Sequence, residues 1–138
     1  MNTQKIIEEL NKARARELQV VIQYMIQHYT ATGVESLPVA DMFKAAAIDE
    51  MKHAESLGER IDYLGGVPTK EPNPINAGAS LTEMLELDLK AEEEAIALYR
   101  DIIKLCADEG DVTSRRMMED ILATEEDHRR DFLTALGR

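Results

Sequence analysis

Tryptophan is absent from this chain of 138 residues, and four tyrosines and two phenylalanines make up its whole aromatic content. A single cysteine, Cys106, has no partner for an internal disulfide, and no Cys-x-x-Cys pair exists to hold zinc or an iron–sulfur cluster. No apolar run approaches the roughly 20 residues that span a bilayer. No basic-then-apolar leader opens Met1-Asn2-Thr3-Gln4-Lys5. A protein of the cytoplasm, away from membranes, is the expectation. Positive charge is also scarce: 16 Lys and Arg stand against 27 Asp and Glu, a net charge of -11. Such a surface repels nucleic acid and favours cations.

What is plentiful is Ala, Leu, Glu, Lys and Arg, the composition of a helical bundle. The length suits one domain over 1–138, large enough to bury a core without disulfides. Ile6, Leu10, Ala13, Val20, Val21, Tyr24 and Met25 recur at three- and four-residue intervals, which predicts a first helix from about Thr3 to Thr32. A second starts behind Ser36, tolerates Pro38 in its first turn and stops at Gly65-Gly66. Ser80-Leu-Thr-Glu83 has the form of a capping box and opens a third helix, to about Asp108. A fourth runs from near Asp111 or Thr113 to Gly137. The stretch Gly65 to Ala79 exceeds the ~2–8 residues that join antiparallel helices. Extended, it reaches roughly 50 Å, the length of a bundle. Helix three is therefore expected parallel to helix two, in an up-down-down-up path with one long crossover.

One spacing occurs twice. Glu17 stands thirty-three positions before Glu50-x-x-His53, and Glu92 stands thirty-three before Glu125-x-x-His128. All six residues fall on the apolar stripes of their helices, near mid-helix. A lone Glu-x-x-His in so acidic a chain means little, but this doubled pattern arises by chance on the order of once in a few hundred such chains. Four carboxylates gathered on buried faces without counter-charge would be strongly destabilising, and two divalent ions would neutralise them. A glutamate plus Glu-x-x-His, used twice, is the ligand set of a ferritin-like di-iron four-helix bundle. In that set Glu50 and Glu125 bridge two irons per chain, Glu17 with His53 completes one ion and Glu92 with His128 the other. Manganese and zinc are competitors by ligand chemistry.

Tyr24 and Tyr99 lie seven residues after Glu17 and Glu92. Each reads either as a core aromatic with a satisfied hydroxyl or as a donor to a ligand and a one-electron source; Tyr24 is the candidate catalytic residue. Asp49 either orients a metal-bound histidine or is merely solvated. His28 reads as an ordinary helix-end histidine, and Cys106 as a small buried apolar residue.

Ile48-Asp-Glu-Met-Lys-His-Ala54, with Glu59-Arg60-Ile61 and Gly66-Val-Pro68, resembles bacterioferritin, the haem-containing branch of the ferritins. Glu17-Leu18, Gln23-Tyr24, Glu83-Met-Leu85, Asp88-Leu89, Ser114-Arg115, Met117-Met118 and Glu125-Glu126 with His128 extend the likeness over nearly all of 3–136. The resemblance places the family's ferroxidase ligands on the six residues already named. It also implies that Met51 is an axial ligand of a haem shared between two chains across a dimer twofold; a bare interface methionine is the alternative. An accessory inner-surface iron site of some members uses a histidine where this chain has Ala45. The chain ends at Ala135-Leu136-Gly137-Arg138 where the family continues into a short fifth helix. A closed homo-oligomer of about twelve chains built from dimers is therefore expected instead of the family's large cage.

The function so implied is a ferroxidase oxidising Fe(II) with oxygen or peroxide, storing iron if a shell closes, with a ferredoxin-type protein as a candidate reductant. Two rivals are a peroxide-reducing di-iron oxidoreductase without storage and a haem-binding electron-transfer dimer. Intact ligands argue against the second.

Overall fold

The computed structural model describes residues 1–138, and its regular structure is four α-helices: α1 (Thr3–Thr30), α2 (Ser36–Tyr63), α3 (Leu81–Glu109) and α4 (Val112–Ala135). Three of the four starts are set by side chains that satisfy the otherwise orphaned first-turn N–H groups. Asn2 accepts from the Lys5 N–H, Ser80 from Glu83 and Asp111 from Ser114. Gly110, with φ +77°, closes α3 in the left-handed conformation that only glycine adopts without strain. Two boundaries differ from expectation. Ser36 sits inside α2 and donates its hydroxyl back to the Gly33 carbonyl at 2.7 Å, while Glu35 takes the cap position without a side-chain bond. α1 ends two residues early because Ala31 turns extended.

The chain path follows from contacts between helix ends. The N–H of Asn2, before α1, donates to Glu109 at the end of α3, and Arg60, near the end of α2, donates to Ser114 and Asp111 at the start of α4. α1 and α3 are thus antiparallel, as are α2 and α4. Since α1 and α2 form a hairpin, α3 runs parallel to α2, and the up-down-down-up bundle with one crossover is the observed fold. The crossover lies along α1 and is stitched to it. Asn11 donates to the Val67 carbonyl at 3.0 Å and accepts from the Thr69 N–H at 2.8 Å. Arg14 Nε donates to the Thr69 carbonyl, Asn73 N–H to the Ala15 carbonyl, and Gln27 to the Ala77 carbonyl. Gly66 is required where the crossover leaves α2, since a Cβ there would lie 2.6 Å from Ile7 Cγ2.

The core is divided. One apolar cluster, with Ile6, Leu10, Leu57, Ile61 and Met118, fills one end of the bundle. A second, with Val20, Phe43, Met84, Leu89 and Phe132, fills the other. Between them lies a layer of buried charge. No helix is long and apolar enough to cross a membrane.

Candidate metal centre

Each helix contributes to that middle layer. α1 supplies Glu17, α2 Glu50 and His53, α3 Glu92, and α4 Glu125 and His128. The four glutamates are fully buried, and the histidines nearly so. Because Glu-x-x-His spans about one turn, each pair presents both side chains to the same face. The structure brings all six together as two overlapping groups: Glu17, Glu50, His53 and Glu125 in one, Glu50, Glu92, Glu125 and His128 in the other, with ligand atoms inside each group within 4.8 Å of one another.

Glu50 and Glu125 are common to both. Glu50 Oε1 lies 3.2 Å from His53 Nδ1 and 3.5 Å from His128 Nδ1, and Glu125 Oε1 lies 3.4 and 3.7 Å from the same atoms. Glu17 approaches only His53, at 3.6 Å, and Glu92 only His128, at 3.5 Å. The donor set fits a pair of hard-to-borderline divalent ions. Oε1 of Glu50 and Glu125, Oε2 of Glu92 and Nδ1 of both histidines are buried without a hydrogen-bond partner, as are Nε and Nη2 of Arg16 beside them. Buried polar atoms are rarely left so, and the first five, converging on one interior, mark a place for cations.

The tyrosines cross between the halves. Tyr24 on α1 donates to Glu92 on α3 at 2.6 Å, and Tyr99 on α3 donates to Glu17 on α1 at 2.7 Å. Burial and the carboxylate beside each hydroxyl push both well above the usual phenol range, so both are donors. Both are core aromatics with satisfied hydroxyls, and each hydroxyl donates to one of the layer's carboxylates. Asp49 contacts His128 Nε2 at 2.9 Å, which orients that ring. The other ring, His53, faces an open pocket with Asp120 and Thr124.

Arg16 was missed by the spacing argument. It is 5% exposed, and its guanidinium Nη1 contacts Oε2 of both Glu50 and Glu125, while Nη2 lies 3.1 Å from Glu92 Oε1. The premise that the carboxylates find positive charge only in metal ions is thereby corrected: the chain carries a permanent cation of its own into the layer. A signal existed, since Arg16 is three residues after Ala13 and four before Val20, on the buried stripe. Burial alone would lower its proton affinity, and Glu125, Glu92 and Glu50 outweigh that, holding it above its ordinary value. Burial pushes Glu50 well above the carboxylate range, with repulsion from Glu125 and Glu17 adding to it. Burial opposes protonation of the histidines too, yet Glu125 and Glu17 push His53, and Glu92 pushes His128, up to about 9.

A second buried network was also unread. Gln23 and Gln27 each donate at 2.8 Å to Oδ1 of Asp88. His28 bonds the Ala40 carbonyl at 2.6 Å, as a helix-end histidine does, and Cys106 is buried in the core. Met51, next to Glu50, is 52% exposed on the outer side of α2.

Residues 7–138 match the model of the ferritin-like domain. The bacterioferritin of Desulfovibrio desulfuricans is 40% identical over 125 residues, spanning 90% of this chain and 70% of that one. The bacterioferritin of Brucella melitensis is 35% identical over 94% of this chain and 80% of its own length. The chain belongs to the bacterioferritin family. Its backbone agrees with solved members. The Desulfovibrio desulfuricans bacterioferritin, whose di-iron site was observed in different catalytic states, superposes with a TM-score of 0.90 at 38% identity, covering 96% of this chain and 78% of that one. The Rhodobacter capsulatus bacterioferritin, with a metal-free dinuclear site and haem iron in a crystallographic special position, also gives 0.90, at 32% identity over 95% of this chain and 82% of that one.

Proposed function

We propose that this bacterioferritin-family chain is a ferroxidase of iron storage, binding two Fe(II) at the mid-bundle layer and passing their electrons to oxygen or peroxide. The observation that carries this reading is the pair of ligand groups sharing Glu50 and Glu125, with their unpartnered oxygen and nitrogen atoms turned inward. Two Fe(II) give up two electrons, which with two protons reduce oxygen to peroxide, or peroxide to two waters. Glu50 and Glu125 bridge, Glu17 with His53 and Glu92 with His128 complete the ions, and Tyr24 and Tyr99 hold the terminal carboxylates in place. Asp49 fixes the His128 ring so that Nδ1 faces the ion. The net charge of -11 draws Fe(II) toward the protein.

The same reading covers 1–138 as one domain of a cytoplasmic protein, drawing electrons for iron release from a ferredoxin-type reductant. Met51, half exposed on α2, ligates a haem shared with the α2 of a second chain. Ile22 and Ile26 on α1 and Ile48 on α2 are also exposed apolar residues, whose burial would favour such a dimer. Dimers of this kind assemble into a closed homo-oligomer.

Stopped-flow mixing of anaerobically loaded protein with oxygen or peroxide tests the ferroxidase step. The wild type is expected to oxidise two Fe(II) per chain in a fast phase. Glu50→Ala and Glu125→Ala should each nearly abolish it, because each removes a ligand from both ions. Wild-type kinetics in both variants would refute the assignment.

A further inference from the structure

An arginine does not lose its proton inside a protein, so Arg16 is a fixed positive charge among four carboxylates. Nη1 holds Oε2 of Glu50 and Oε2 of Glu125, and it also lies 3.4 Å from Glu17 Oε2. Each residue shared by the two ligand groups therefore has one oxygen tied to Arg16, and only Oε1 is free of a hydrogen bond. A carboxylate that bridges two ions turns a lone pair of each oxygen to metal, and a guanidinium held on one of those oxygens would stand close beside a divalent ion in a buried site and be repelled by it. Charge points the same way. Four carboxylates balance two divalent ions, and a further cation enclosed with them would be a buried charge without a partner, which is strongly unfavourable.

Room exists for the side chain to leave. A cavity of about 150 Å³ adjoins Arg16 between α1 and α3, lined also by Gln19, Asn73 and Glu94. Glu94 is exposed and holds only a loose 3.9 Å pair with Lys90. A guanidinium on a long, flexible stem that turned outward would meet this carboxylate at the cavity wall.

We propose that Arg16 is a built-in competitor for the metal ions, locked between Glu50 and Glu125 in the metal-free protein and expelled toward Glu94 when two divalent cations enter. The proposal rests on the two-ion reading of the site. Arg16 is then a positioning residue. It keeps the carboxylates gathered and compensated while no metal is bound, and it sets a threshold that an entering ion must exceed.

Cobalt(II), which reports carboxylate and imidazole ligation by its visible absorption, tests this without iron oxidation. Arg16→Met should lower the melting temperature of the metal-free protein and raise Co(II) affinity by about ten-fold or more, because the internal cation is gone. Glu94→Gln should leave metal-free stability unchanged and weaken Co(II) binding by about two- to five-fold, because the outward partner is lost. Unchanged or weaker Co(II) binding in Arg16→Met, with two ions per chain still bound by both proteins, overturns the competitor role and leaves the two-ion site standing. Failure of both proteins to take up two Co(II) per chain sinks the two-ion reading, and the competitor with it. If Arg16→Met does not fold, the crystal structure of the Co(II)-loaded wild type decides. Arg16 turned away from Glu50 and Glu125 supports the proposal, and Arg16 still between them overturns it.

Discussion

Tyr99, on α3, donates its hydroxyl to Oε1 of Glu17, on α1, at 2.7 Å, so a carboxylate of one half of the bundle is held by a tyrosine of the other. Tyr24 and Glu92 repeat the relation in reverse at 2.6 Å. Each removes one lone pair from competition and fixes the direction of the other oxygen. Tyr99→Phe and Tyr24→Phe conserve ring volume and lose only the donor. Each is expected to lower affinity for divalent metal by about 10- to 100-fold while leaving the helical content intact. Titration with Co(II) beside far-UV circular dichroism checks this. Full affinity in both variants would make the hydroxyls passive core groups.

Asp49 introduces an asymmetry between the two halves, since the internal repeat has Thr124 at the corresponding position of α4. It contacts Nε2 of His128 at 2.9 Å, whereas His53 turns toward an open pocket. Asp49→Ala should loosen the ion held by Glu92 and His128 by about ten-fold and leave the ion held by Glu17 and His53 nearly unaffected. Paramagnetically shifted imidazole signals in Co(II)-loaded protein distinguish the two rings. Equal perturbation of both would contradict the assignment of Asp49 to one of them.

Asp88, one turn before Glu92 on α3, supplies a pH test on a group outside the six proposed ligands. Burial raises it to about 8, against the lowering influence of Gln23 and Gln27. An acid raised in the fold is protonated there while the unfolded chain is ionised, so folding takes up a proton, and stability falls as pH climbs from 3.8 toward about 8. Asp88→Asn keeps an acceptor for both glutamines and removes the titration. Its melting temperature relative to wild type should be near equal at about pH 4 and should rise to its largest advantage at about pH 8. A difference that does not change with pH would show Asp88 to be ionised throughout.

Met51 and the exposed isoleucines of α1 and α2 carry the assembly prediction. The protein as isolated, or after haem addition, should show a bis-thioether haem spectrum at up to one haem per two chains. Met51→Leu should lose it with the fold intact, since the exchange nearly conserves volume. Native mass measurement should find a closed particle larger than a dimer. An unchanged spectrum in Met51→Leu would remove the axial ligand, and a particle no larger than a dimer would remove the shell.

The four helices and the meeting of the six glutamate and histidine side chains were legible in the sequence because each is written locally. Asn2, Ser80 and Asp111 cap the helices they precede, and the thirty-three-residue offset fixes which glutamate faces which Glu-x-x-His once two helices pair. The crossover was legible from its length. Arg16 was not, because an arginine beside Glu17 reads as a solvated neighbour unless the position of Ala13 and Val20 on the same stripe is weighed. The bonds from Gln23 and Gln27 to Asp88 were hidden for a different reason: they join α1 to α3 across more than sixty residues, where no short spacing reports them. Asp49 stood open between two readings because its partner, His128, lies on another helix.

The most direct measurement is anomalous diffraction from crystals loaded anaerobically with Fe(II). The account predicts two iron peaks per chain roughly 3.5–4 Å apart at mid-bundle. One should lie against Glu17 and His53 and the other against Glu92 and His128, with Glu50 and Glu125 touching both. A single peak, or iron bound only on the outer surface while the six side chains keep their metal-free contacts, would contradict it.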